Sequence, residues 1–378
     1  MKTRIRVLSA VLLCILTLTF LPSCSADNTA PVMTYGSAEI SEAMYTYWMA
    51  AYKSYYLNYV LGIDDTREAL DTDFETVDKN GTAVTKTVAE ALTEQITDVI
   101  ETHCVSLALF DSLKLTLPKD VKNSVDLMIS SEIENAGSRK ALNESLAPLG
   151  INVNILREIY LAEQKVDYLY EYLYGNTELG TTGAEPISAE RYQAFYEENY
   201  VCVKHIYIRT KDKNVTDADG NVQYDANGYV LTEELTEAES AAQYALIDEI
   251  LAKLEAGEDF DALMQEYSAD AGRTAFPDGY ILCENSPMPA EFIDAAFQMK
   301  VGETSLLDAS YAAHIMRRTE LPEAGWKLDA YTDMMSNFTE RLKSEVFAEK
   351  VAPMIAEIER DEDLIAKHSI YDVPTTVY

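Results

Sequence analysis

The sequence predicts an α+β protein. An all-helical N-terminal domain, completed by a C-terminal helix, holds an inserted domain built on a small antiparallel sheet flanked by helices. Three observations carry this. Helical periodicity runs through residues 41–174 with only short breaks. Val201–Ile208 and Ser310–Arg317 alternate as strands do, with helical segments between them. A further helical stretch follows Pro322 and needs a surface on which to bury its apolar face.

The leader comes first. Lys2, Arg4 and Arg6 precede an apolar run, Val7–Leu21, that is short for a membrane-spanning helix. The run ends in Leu21-Pro22-Ser23-Cys24. A small residue directly before Cys reads as a bacterial lipoprotein signal, leaving Cys24 as a lipidated N-terminus. The alternative is an ordinary secretory signal. Either way the mature chain leaves the cytoplasm, and a lipid would hold it on a membrane surface without spanning. Residues 1–23 are therefore read as signal peptide and 24–34 as a tether.

Residues 35–185 form the helical domain. Ser41 is an N-cap, and Tyr45, Trp48, Tyr52, Tyr55 and Tyr59 step by three and four along one face until Gly62. This stripe suits packing against other helices or an aromatic wall facing extended chains. Asp78-Lys79-Asn80-Gly81 marks a turn. Further helices cover residues 88–115, about 118–136, 138–146 and 152–174. The Gly/Thr-rich stretch 175–186 reads as a linker.

The inserted domain spans residues 186–321. Ser188 caps a helix, and Val203, His205 and Tyr207 share one face of the strand that follows. An insertion, residues 212–234, contains Asp217-Ala-Asp-Gly-Asn-Val222 and its near-repeat Asp225-Ala-Asn-Gly-Tyr-Val230. These read as tight turns between short strands. A calcium loop is the sharper alternative, although the Gly comes early and no Glu stands at the twelfth place. Helices at 237–255 and 260–267, irregular chain at 271–287, a helix opened by Pro289 and a closing strand at 310–317 complete the domain. Residues 322–378, with a helix or helix pair over 328–360, return to the N-terminal domain.

Charge excludes several functions. The formal net charge is −34, and loss of the leader's three cations makes it −37. Such a surface repels nucleic acid and anionic lipid and favours basic or unfolded partners. Beyond Cys14 and Cys24, Cys104, Cys202 and Cys283 are an odd set without close spacing. Buried thiols are the simplest reading, with a single Cys202–Cys283 bridge the alternative.

One constellation carries chemistry. His205 and His314 sit in near-matching strand contexts, Val-Lys-His-Ile-Tyr and Ala-Ala-His-Ile-Met. Between them lie Phe260-x-x-Leu263, Tyr267-Ser268-x-Asp270, Met288-x-x-x-Phe292, Ala295-Ala296-Phe297 and Gly302-Glu303. In this order residues 186–321 resemble the parvulin, or PpiC-type, peptidyl-prolyl cis-trans isomerase domain. The lipobox and the flanking helical regions are similar in organisation to PrsA-like extracytoplasmic foldase lipoproteins of Gram-positive bacteria.

The resemblance implies catalytic roles for His205, Asp270 and His314. It implies a proline pocket from Met288, Phe292, Phe297 and either Tyr280 or Ile281. The turn Pro277-Asp278-Gly279 and the pair Ala312-Ala313 depart from the family pattern, and the hydroxyl beside the second histidine falls to Ser310 or Tyr311. No cofactor and no metal is expected, and four potential ligands, His205, His314, Asp270 and Cys283, are the weakest rival. The implied partners are unfolded secreted chains with X-Pro bonds, and the membrane through the lipid at Cys24. Nucleic acid is excluded, and a homodimer is left open. A non-catalytic chaperone with a degenerate parvulin domain is the principal alternative.

Overall fold

The computed structural model describes residues 31–77, 82–176 and 180–375. The leader, Cys24 and the turn at 78–81 lie outside them. The chain divides into two compact units, one running to Pro186 and resuming at Lys343, the other spanning Ile187–Leu342.

The first unit opens with a hairpin, β1 (Pro31–Tyr35) and β2 (Ala38–Ser41). This corrects the expected tether to residue 34 and the purely helical reading from residue 35. The Ser41 hydroxyl accepts the Met44 N–H at 3.2 Å and so caps α1 (Glu42–Tyr55). A wider π turn, Tyr56–Leu61, follows, and Gly62 closes it with φ 62°. Tyr45 and Trp48 of the aromatic stripe are core, whereas Tyr59 is exposed.

After α2 (Arg67–Leu70), a second hairpin pairs β3 (Asp73–Val77) with β4 (Ala83–Thr87). Thr87 and Glu90 form a reciprocal capping box at the start of α3 (Val88–Ser112). Next come α4 (Lys119–Asn135), α5 (Arg139–Leu146) and α6 (Val153–Tyr174).

The second unit runs α7 (Ala189–Asn199), β5 (Val201–Ile208), β6 (Asp212–Asn214), β7 (Thr232–Glu234), α8 (Glu237–Glu255) and α9 (Phe260–Tyr267). It continues with β8 (Tyr280–Leu282), α10 (Ala290–Gln298), β9 (Thr304–Asp308) and β10 (Ala313–Thr319). The expected long helix from residue 328 is instead two 3-10 turns followed by α11 (Phe338–Ile355), which contains the boundary between the units. In the first unit β11 (Glu359–Arg360) adds to the β1 edge, and α12 (Glu362–Ile365) follows it.

The central sheet of the second unit is antiparallel, in the order β8-β5-β10-β9. Strand alternation sends two different sets of residues to its two faces. Ile206, Ile208, Ala313 and Ile315 pack with Ile247 and Ile250 of α8 and with Phe260 and Leu263 of α9. Val203, Tyr280, Leu282 and Met316 pack with Phe292 and Ala296 of α10. Burying each large side chain contributes about 1.5–3 kcal/mol, so both faces hold β5 and β10 in register. Cys104, Cys202 and Cys283 are buried and free.

Candidate active site

The site grows from the β5–β10 pair. Its register sets His205 opposite Met316 and His314 opposite Tyr207. The two histidines are therefore diagonal neighbours on the α10 face. Their Nδ1 atoms are 2.9 Å apart, and the rings lie 5.1 Å apart at 16°. Phe292 sets its edge against both imidazoles, with centroids 5.1 Å from each. Both histidines are buried.

Asp270 reaches this pair because the chain after α9 is stitched to β5. The Ser268 hydroxyl accepts the N–H of Tyr207 at 3.0 Å, and the Ala269 N–H donates to the Tyr207 carbonyl at 2.9 Å. This is the physical content of the Tyr-Ser-x-Asp sequence. Asp270 Oδ1 accepts the Gly272 N–H at 3.0 Å, and its Oδ2 accepts the Tyr280 hydroxyl at 2.7 Å. The same Oδ2 lies 3.3 Å from His205 Nε2, a polar contact short of a well-aligned hydrogen bond. Burial pushes the Asp270 carboxyl upward. His205, Tyr280 and the Gly272 amide outweigh it and hold the group down at about 2.

A Cβ on Gly272 would stand 1.9 Å from Tyr280 Oη, so glycine is what admits the tyrosine. Gly279, in the turn before β8, has φ 106°, and a side chain there would meet the Val203 carbonyl at 2.8 Å.

These contacts order the protons. An Nδ1–Nδ1 bond needs one donor and one acceptor. The Asp270 carboxylate favours a proton on His205 Nε2, leaving His205 Nδ1 as acceptor and His314 Nδ1–H as donor. His314 Nε2 is then a bare lone pair, and it is buried without a hydrogen-bond partner. Burial, then the neighbouring His205, lowers the His314 pKa to about 3 against the opposing pull of Asp270. Among the described residues no three or more His, Cys, Asp or Glu side chains are arranged for an ion. In the insertion, Asp217 Oδ1 is occupied by the N–H groups of Asp219 and Asn221.

The remaining anticipated residues divide. Met288 is half-buried and packs against the Phe292 cluster, and Tyr280 lies within it. Ile281 points to the other side of β8, where its Cδ1 borders Gly325. Phe297 is exposed at the far end of α10. Ser310 bonds Glu291 at 3.1 Å, while the Tyr311 ring lies 5.4 Å from His314 and its buried hydroxyl has no hydrogen-bond partner. Sequence reasoning missed Met316, fully buried opposite His205, and Phe276, whose ring is 5.2 Å from Tyr280. Alternation from His314 would have found Met316; nothing local marks Phe276.

Residues 193–321 match the family model of the PPIC-type PPIASE domain, so the second unit carries a parvulin-type domain. The chain is similar over part of its length to foldase proteins named PrsA. It is 33% identical over 124 residues to the foldase protein PrsA of Bacillus subtilis (strain 168), covering 32% of this chain and 39% of that one. It is 24% identical over 196 residues to the foldase protein PrsA of Oceanobacillus iheyensis, covering 49% and 62%. The chain thus spans less than two thirds of the length of these relatives. The crystal structure of PrsA from Bacillus subtilis aligns with 78% of this chain and 89% of its own at 19% identity, with a TM-score of 0.23. That of PrsA from Bacillus cereus aligns with 79% and 92% at 18% identity, with a TM-score of 0.27.

Proposed function

We propose that this protein is an extracytoplasmic foldase that isomerises X-Pro bonds in unfolded secreted chains, and that Cys24 anchors it by lipid to the outer face of the cell membrane. The observation that carries the reading is the His205–His314–Asp270–Tyr280 network laid against the apolar wall of Phe292, Met316 and Met288.

The uncatalysed barrier to amide rotation is about 18–20 kcal/mol. No bond need form or break; the site must bind the twisted amide better than either planar form. Met288 and Phe292 hold the pyrrolidine ring out of water. A twisted amide has lost resonance and charge separation, so a dry pocket favours it. His205 and His314 fix each other's tautomers, and Asp270 holds Tyr280 and His205 in place at the substrate carbonyl. Outside the pocket, the helical unit holds unfolded clients.

The test is turnover of an X-Pro tetrapeptide by the mature chain. Phe292→Ala and Asp270→Asn, each shown folded by circular dichroism, should lower kcat/KM by about tenfold or more. A flat trace from the parent chain, with client aggregation still suppressed, would assign it instead as a binding module. Separately, Cys24→Ala should release the chain from membranes into the medium; continued sedimentation with membranes would refute the anchor.

A further inference from the structure

The insertion between β5 and α8 is a stiff finger with surplus apolar surface. It folds as two successive octads, Asp217–Tyr224 and Asp225–Thr232. In the first, Asp217 Oδ1 accepts the N–H groups of Asp219 and Asn221; in the second, Asp225 Oδ1 accepts those of Asn227 and Tyr229. Main-chain bonds repeat likewise, Gly220 to Asp217 and Gly228 to Asp225, each 3.1 Å. Bonds from Val215 to Leu231, Gln223 to Val215 and Leu231 to Gln223 draw the segments together above the β6–β7 ladder. The finger therefore satisfies its own backbone without a core.

The two octads serve as each other's control. Where the first has Asn221 and Gln223, the second has Tyr229 and Leu231, in the same hydrogen-bonded turn. The turn does not need the apolar residues. Yet Tyr224 is 60% exposed, Tyr229 73%, Val230 42% and Leu231 38%. Tyr224 and Val230 are bridge partners, so they present one face. Tyrosines on a rigid support bury large amphipathic area at small entropic cost.

We propose that this finger is a second docking site for the client, taking an extended apolar stretch of the same polypeptide whose X-Pro bond occupies the pocket. The inference rests on the isomerase reading above. Continuity supports it: the finger's first residue, Asp212, opens β6 seven positions after His205 of β5, so its base lies within about 25 Å of the pocket. Charge selects the occupant. Asp217, Asp219, Asp225 and Glu234 lie within or beside this segment, and their charge opposes an anionic lipid surface. A second copy of a chain with formal charge −34 is opposed in the same way.

A tetrapeptide spans at most about 14 Å and is taken up by the pocket's own contacts, whereas a peptide of about sixteen residues spans up to about 55 Å, more than the greatest separation of pocket and finger base. The experiment compares the mature chain with two variants, Tyr224→Ser/Tyr229→Ser and a replacement of residues 215–231 by Asn-Gly. Tetrapeptide kcat/KM should stay unchanged in both. For the long peptide with Phe and Leu flanking its X-Pro bond it should fall about tenfold, through KM. Unchanged values on both substrates would overturn the proposal. If the parent chain turns over neither, the isomerase reading fails, and fluorescence anisotropy of the long peptide still decides the finger: lost binding in the variants supports it, unchanged binding overturns it. A parent dimer that becomes monomeric in the variants would also overturn it, because the patch would then serve self-association.

Discussion

His205 and His314 join through their Nδ1 atoms at 2.9 Å, although the sheet register pairs neither with the other. The bond is diagonal, across strands whose residues stand 109 positions apart in the chain. It makes the proton positions of the two rings interdependent, and three predictions follow from the groups around them; a fourth concerns a buried carboxyl of the first unit.

The tautomers are fixed. In 15N-edited NMR of labelled protein at neutral pH, His314 Nε2 should resonate as an unprotonated nitrogen and His205 Nε2 as a protonated one. Asp270→Asn should weaken this order. The opposite assignment in the parent protein would mean that Asp270 does not set it.

Acid should destabilise the second unit. The His314 pKa is lowered in the folded state to about 3 from an ordinary 6.5, chiefly by burial. The unfolded chain therefore binds the proton more readily, and stability is full above about 6.5 and lost as pH falls toward 3. The contribution is of order 3 kcal/mol. Asp270, held at about 2 against an ordinary 3.8, adds loss in the same direction at lower pH, moderated by solvent. Urea midpoints measured from pH 8 to pH 4 should decline below about 6.5, and His314→Gln should flatten that decline. An unaltered slope would remove His314 from the account.

Gly272 and Tyr280 should be coupled. Gly272→Ala places a methyl 1.9 Å from Tyr280 Oη and must displace the ring that bonds Asp270. The cost is about 1–3 kcal/mol, with a fall in turnover. Tyr280→Phe alone loses the hydrogen bond, about 1 kcal/mol or more. The double variant should be more stable than the sum of the singles allows, because removing the hydroxyl relieves the clash. Simple additivity in thermal melts would contradict the packing argument.

The first unit should weaken at alkaline pH. Burial raises the Glu132 carboxyl to about 8, against the Tyr160 hydroxyl bond at 3.2 Å, and its second oxygen has no partner. A raised folded pKa means stability that is full below about 4.5 and lost as pH climbs through 8. Relative to the parent, Glu132→Gln should gain about 1 kcal/mol between pH 5 and pH 9 after solvent screening. Equal differences at both pH values would count against it.

Much of the frame is readable locally. Ser41 and Ser188 each accept a backbone N–H at a helix start, as their sequence contexts imply, and Gly62 stops the π turn after α1 in the left-handed region. The alternation in Val201–Ile208 does sort His205 from Ile206 onto opposite faces. β1 and β11 were not legible. They meet through pairs such as Met33 and Arg360, and Arg360 is held by Glu101 at 2.7 Å. A two-residue strand has no periodicity to read, and its partner lies at the other end of the chain.

By itself the sequence determined several helix starts, the two-faced strands and the set of polar and apolar groups from which the site is made. Those features arise from neighbours in the chain, through caps, periodicity and turn residues. Only the tertiary structure decided that Tyr280 rather than Ile281 faces Asp270, that Met316 lies opposite His205, and that Phe297 stands outside the pocket. Each of these depends on strand register and on the approach of α10 to the sheet. Register is set by the summed burial on both faces of β5 and β10, a quantity that no local stretch of sequence contains.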